Sequence, residues 1–247
     1  MNKENIFSRT ELLIGKAALS RLHNSRVAVF GIGGVGSYTV EALARCGIGH
    51  FLLVDDDVIS ISNINRQLHA LCDTVGRLKT EVMAERIKAI NPDAEVETRA
   101  EFYLPENSGE FFDGSIDYIV DAVDTVAAKI DLAVQAERRG IPIISSMGAG
   151  NKLNPAGFQV TDIYKTSVCP LARVMRHKLR QLGVKGLKVV YSTEEPIRPL
   201  PAPDFAQSES GTITRRSVPG SVSFVPSVAG LIAAGEVIKD LCSDGME

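Results

Sequence analysis

No two cysteines in this sequence lie close enough together to build a zinc site or a redox motif. The four, Cys46, Cys72, Cys169 and Cys242, are scattered along 247 residues. Strong charge of either sign is also missing. A formal net charge of −3 excludes a globally basic nucleic-acid-binding domain and leaves only a local basic patch for such a partner. No uncharged apolar run reaches the roughly 20 residues that a membrane span needs. The most apolar stretch, "SVSFVPSVAGLIAAGEVI" at 221–238, contains Pro226 and Glu236 and reads as a buried terminal helix. The opening "MNKENIFSRTELL" is polar and holds no leader core. These absences set the expectation of a cytoplasmic protein with reduced thiols, no zinc and no stable membrane insertion.

What is present is the composition of a globular chain with a full core, 45% hydrophobic and 23% charged. "SRTE" at Ser8–Glu11 has the form of a capping box opening a helix to about Leu22. β-rich runs follow at "RVAVF", "HFLLVD", "AEVETRAE", "DYIVDAVD" and "IPIISSM", alternating with helical stretches such as "GRLKTEVMAERIKAINP". This alternation predicts an α/β fold of Rossmann-like type, a mostly parallel sheet with helices on both faces. Beyond Gly148, "FQVTDIYK" and "LKVVYSTE" read as further, partly antiparallel strands flanking the helix "PLARVMRHKLRQLG". A Pro-, Ser- and Gly-rich stretch at 194–220 reads as a crossover loop. The simplest organisation is a single domain over 1–247, with a nucleotide-binding part at 8–150 and a C-terminal substrate-side lobe at 151–247.

Gly31, Gly33 and Gly36 satisfy G-x-G-x-x-G between a strand and a helix, with Gly34 inside the turn. Such glycines let the backbone approach phosphates that the helix N-terminus attracts. Asp55, at the end of the next strand, stands where a carboxylate can accept from ribose hydroxyls. Taken alone, this motif makes NAD the default ligand. The stretch "LLVDDDVISISNINRQ" (52–67) argues for something more highly charged, because Asn63, Arg66 and Gln67 follow the acidic strand end and Lys79 comes soon after. Arg66, Lys79 and, more remotely, Arg9 supply the cations that a triphosphate needs when its α-phosphorus is attacked. Asp124, in "DAVD", is the magnesium candidate, since magnesium is usually held by a carboxylate plus phosphate oxygens. Each residue also has a plainer reading: Lys79 as a solvated helix position, Arg66 as a local pairing, and Asp121 as a helix N-terminal acid with no ligand. Their occurrence on successive strand ends favours the nucleotide site.

"GIGGVGS", "VDDD", "SNINRQ", "GRLKTE" and "DAVD" together resemble the adenylation domain of the ubiquitin-activating-enzyme-like superfamily. The resemblance implies ATP-dependent acyl-adenylate formation with magnesium, usually in a homodimer. By matching motif it implies that Asp55 binds the ribose, that Asn63, Arg66, Gln67 and Lys79 line the ATP phosphates, and that Asp124 serves the metal. It also implies that Arg9 reaches a neighbouring subunit's ATP site. Relatives with paired Cys-x-x-Cys zinc ligands or a crossover cysteine differ from this chain, which has neither. Cys169, before Pro170 at a helix start, is the one thiol near the sheet's end, and it reads more readily as structural than as a nucleophile.

The second half, "TDIYKTSVCPLARVMRHKL" and "VVYSTEEP", resembles the bacterial branch of the superfamily that dehydrates threonylcarbamoyladenosine in tRNA. That resemblance implies adenylation of the threonylcarbamoyl carboxylate, ring closure by the substrate's own carbamoyl group and release of AMP. A tRNA partner would meet Arg173, Arg176, His177 and Arg180 on one helix face, extended by Lys185, Lys188 and Arg215–Arg216, with Leu171, Val174, Met175, Leu179 and Leu182 largely on another face. A merely solvated helix face accounts for the same pattern. Rival activities are adenylation of a ubiquitin-like sulfur carrier's C-terminal glycine, an NAD-dependent oxidoreductase and a non-catalytic nucleotide sensor; a cysteine desulfurase or other sulfur acceptor is a further candidate partner.

Overall fold

The computed structural model describes residues 6–112, 114–200 and 219–243. Seven strands, β1 (Arg26–Phe30), β2 (His50–Val54), β3 (Glu95–Arg99), β4 (Tyr118–Asp121), β5 (Ile143–Ser146), β6 (Phe158–Asp162) and β7 (Lys188–Ser192), form one sheet in the order β3-β2-β1-β4-β5-β7-β6. Every pairing is parallel except β6 with β7. The predicted architecture, including the antiparallel C-terminal extension, is therefore the observed one.

The helices are α1 (Ser8–Asn24), α2 (Gly36–Cys46), α3 (Lys79–Ile90), α4 (Val126–Arg139), α5 (Pro170–Gln181) and α6 (Phe224–Cys242). The strand period of two divides β1 between the faces. Val27 and Val29 pack with Leu22, Leu43, Met83 and Val237 from α1, α2, α3 and α6. Ala28 and Phe30 pack with Ala128, Leu132 and Ala136 from α4. α5 adds Ala172, Met175 and Leu179 to a third cluster with Val189 and Tyr191 of β7. Because β1 is buried on both faces, it reads as an unbroken apolar run.

Three local expectations are corrected. Phe7, not Ser8, occupies the N-cap of α1, so the "SRTE" capping box does not form there. The helix is interrupted at Gly15, whose φ of 78° and ψ of 162° are not helical. The strand read as 117–124 ends at Asp121, which leaves Asp124 in the turn before α4. The crossover is described only at 194–200 and 219–220, and Arg215–Arg216 lie outside the described residues.

The apolar segment at 221–238 contributes to α6, which packs tightly on α2. Among the described residues no helix is long and apolar enough to cross a membrane. The two helices touch backbone to backbone: Thr39 Oγ1 donates to the Gly230 carbonyl at 3.0 Å, and a Cβ at Gly230 would lie 2.3 Å from the Val35 carbonyl oxygen. Arg21 of α1 donates to the last carbonyls of α6, those of Leu241 and Cys242. Gly230→Ala should therefore push α6 off α2 and cost about 1–3 kcal/mol, as overpacking does. A lowered urea midpoint would show this.

Candidate active site

The strand order reverses between β1 and β4, and ligands of open α/β sheets bind outside the carboxyl ends of strands at such a point. A cavity of about 630 Å³ opens there, lined by the glycine turn, the ends of β2 and β4, and residues 149–150 and 219–221. Gly31 is required by its surroundings: φ is +86°, and a Cβ would fall 2.7 Å from the Ala122 backbone. Gly33 is different. The nearest atom to a Cβ there is Gln67 Nε2 at 3.9 Å, so no neighbouring protein atom crowds the position and the open space faces the cavity. Gly34 lines the cavity as well, whereas Gly36 is the first residue of α2 and does not.

Asp55, just past β2, accepts from Ile32 N–H at 2.6 Å and from Asp57 N–H at 3.0 Å. Burial pushes its carboxyl above the usual range, against the opposing pull of the Lys79 ammonium and those N–H groups. Lys79, the first residue of α3, is almost completely buried. Its Nζ stands 2.5 Å from Asp57 Oδ2 and 3.5 Å from Asp55 Oδ1. It is neither solvated nor unpaired, so a phosphate reaching it has to compete with two carboxylates.

Asn63 commits its Oδ1 to Ser60 N–H at 3.1 Å, and its carbonyl accepts from the N–H groups of Arg66 and Gln67. The asparagine thus builds the turn that presents the next two side chains. Arg66 Nη1 donates to the Ser62 carbonyl at 2.8 Å and to Asn65 Oδ1 at 3.0 Å; among the described residues its Nε and Nη2 have no partner. Gln67 is buried, and among the described residues its Oε1 has no hydrogen-bond partner.

Asp124 is exposed on the cavity wall, and among the described residues its only hydrogen-bond partner is the Thr125 hydroxyl, at 3.4 Å. Asp121 closes β4 rather than starting a helix, and its carboxylate is fully buried in an ion pair with Lys129. Sequence reasoning also missed Phe102 and Tyr103. They follow β3 and line the cavity with Val54 and Ala128; no motif marks them, because a flat apolar wall can be built from any large side chain.

Arg9 lies on the part of α1 before Gly15, exposed and outside the cavity. On α5, Arg173 and His177 are exposed, but Arg176 donates to the Thr166 carbonyl at 3.0 Å and Arg180 lies over the Tyr164 ring at 5.3 Å. Lys188 is held by Asp240 at 2.7 Å, so it does not extend the basic face. Of the apolar residues on the other face, Val174 and Leu182 are exposed. Cys169 is buried in the α5 cluster, where a structural role fits it.

These features suit a nucleoside triphosphate. The open glycine at position 33 admits phosphate, Gln67 offers an orphaned acceptor, Arg66 has free donors, and Phe102 and Ala128 form an apolar wall. The exposed oxygens of Asp124 suit a hard cation.

The ThiF family profile matches residues 7–247. The chain is 50% identical over 241 residues to the tRNA threonylcarbamoyladenosine dehydratase of Bacillus subtilis, covering 96% of this chain and 95% of that one. Its fold superposes on the crystal structure of the Escherichia coli tRNA N6-threonylcarbamoyladenosine dehydratase in complex with ATP. The TM-score is 0.84 at 35% identity, with 96% of this chain and 94% of the other covered. The AMP complex of the same enzyme matches with a TM-score of 0.84 at 36% identity and the same coverage.

His69, two residues beyond Gln67, is buried, and among the described residues both ring nitrogens lack a partner. Burial, and secondarily the Lys79 charge, lower its pKa from 6.5 to about 4. The unfolded chain therefore binds this proton first as pH falls, and stability should decline between about 6.5 and about 4. Replacing His69 with Leu should remove that part of the slope in urea melts across this pH range.

Proposed function

This chain belongs to the ThiF family, and we propose that it is an ATP-dependent enzyme that dehydrates threonylcarbamoyladenosine in tRNA. The observation that carries this reading is the convergence of Arg66, Lys79 and Asp124 with the glycine turn on one cavity. A dinucleotide needs one pyrophosphate held, and the glycine turn with the α2 N-terminus suffices for that. Two further cations and an exposed carboxylate suit a triphosphate undergoing attack at its α-phosphorus.

In this mechanism Asp55 accepts from the ribose, and Phe102, Val54 and Ala128 cover the adenine. Arg66, through its free Nε and Nη2, and Lys79, by exchanging Asp57 for phosphate, offset the charge that gathers on the leaving pyrophosphate. Magnesium, held by Asp124, would supply further neutralisation at the phosphates. A carboxylate oxygen of the substrate bonds to the α-phosphorus, and pyrophosphate departs. The carbamoyl group then closes on the activated carbonyl carbon and expels AMP, for a net loss of one water. No enzyme thiol is needed, because the nucleophile is already tethered to its target.

The tRNA lies along α5 through Arg173, His177 and Lys178, which are exposed, with Arg180 contributing from its place over Tyr164. The active form is a homodimer. Ile6, Leu12 and Leu13 support this, being 65%, 85% and 87% exposed around Arg9. A second copy would cover them and could carry Arg9 to its neighbour's cavity.

With ATP, magnesium and threonylcarbamoyl-modified tRNA, AMP should be released, and the same tRNA without the threonylcarbamoyl group should give none. AMP release that ignores the modification would overturn the substrate assignment. Arg66→Ala and Asp124→Ala should each lower modified-tRNA-dependent turnover by about 10²–10³-fold, the range for losing one preorganised charged contact, with melting temperatures unchanged.

A further inference from the structure

We propose that Lys129 is a positioning residue for Asp124, acting through the buried carboxylate of Asp121. The proposal rests on the reading of Asp124 as the magnesium ligand. Lys129 is only 1% exposed and Asp121 is fully buried. The ammonium donates to both oxygens of Asp121 at 3.0 Å, to Ser145 Oγ at 3.3 Å and to the Ser146 carbonyl at 2.8 Å. The Ser145 hydroxyl closes the ring by donating to Asp121 Oδ2 at 2.5 Å. One amine on α4 thus ties the ends of β4 and β5 together directly beneath the cavity.

The network reaches the metal candidate along the backbone. Asp121 Oδ1 accepts from Val123 N–H at 3.3 Å, and Ala122 N–H donates to the Phe30 carbonyl at 2.8 Å. Residues 122 and 123 are therefore held from below by the ion pair and from the side by β1. Asp124, the next residue, has among the described residues only the weak Thr125 contact of its own. Its carboxylate takes its place from the turn it stands on, and that turn is set by Asp121 and Lys129.

Stability alone does not account for such a pair. Burying two charges costs several kcal/mol per ion, and apolar replacements of similar size are often neutral or stabilising. A fixed, directional set of bonds under a ligand-bearing turn is a use for which apolar packing is a poor substitute. Groups that hold a metal ligand in place change metal affinity by about 10–100-fold when removed.

The test is calorimetric binding of a non-hydrolysable ATP analogue, with magnesium and with EDTA, to the full chain. Lys129→Met alone strands a buried carboxylate, so the informative variant is the double Asp121→Asn, Lys129→Met, which removes both charges. It should bind the analogue in EDTA as the wild type does and lose about 10–100-fold of the tightening that magnesium brings. Ser145→Ala keeps the ion pair and should show the same signature in smaller measure, which covers the case of a double variant that does not fold. Unchanged magnesium-dependent tightening in the folded double variant, or in Ser145→Ala if the double does not fold, would overturn the positioning role. A wild-type chain that binds the analogue equally with and without magnesium would instead overturn the metal reading on which the role depends.

Discussion

The contact between Gly31 and Ala122 is the constraint on which the rest of the site depends. A Cβ at Gly31 would meet the Ala122 backbone at 2.7 Å, so the turn after β1 lies flush against the end of β4. That approach fixes both walls of the cavity at once, the glycine turn with its α2 N-terminus on one side and the turn carrying Asp124 on the other. The strand-order reversal at the same place keeps the space above them free of crossing chain.

Charge is handled differently on the two walls. The cations proposed to meet phosphate are already partly engaged: Lys79 sits between Asp57 and Asp55, and Arg66, with Nη1 tethered to the backbone of its own turn, keeps Nε and Nη2 without a partner among the described residues. A buried lysine without such partners would lose its proton or destabilise the fold. Asp124, by contrast, is left exposed, and its neighbour Asp121 takes the buried cation. The two acids of "DAVD" thereby take separate tasks.

Much of this was legible in the sequence, for identifiable reasons. The sheet and its helices follow from apolar runs alternating with amphipathic ones, a signal carried by many residues at once. The glycine turn, Asp55 and the "SNINRQ" turn were readable because they form local motifs, and the antiparallel tail because two β-rich runs bracket a helix. The Asp121–Lys129 pair was not readable, since a lysine at a helix position looks solvated until the strand ends beneath it are known. The partners of the basic residues on α5 were hidden for a related reason. Helical spacing puts Arg176 and Arg180 on one face, but only tertiary contacts reveal that Arg176 donates to Thr166 and that Arg180, still exposed, lies over the Tyr164 ring. Ser8 was misplaced by one position because capping depends on backbone angles, which composition does not determine.

In the proposed reaction this cavity turns a carboxylate into a mixed anhydride with AMP before the ring closes. Isotopic labelling tests it most directly. With oxygen-18 in the threonylcarbamoyl carboxylate of the tRNA, the oxygen that bonds to the α-phosphorus stays with AMP when the carbonyl carbon is attacked. Mass spectrometry of a single turnover should find one labelled oxygen in the AMP phosphate. Unlabelled AMP, with label appearing only when the solvent water carries it, would mean that ATP is merely hydrolysed and would contradict the account.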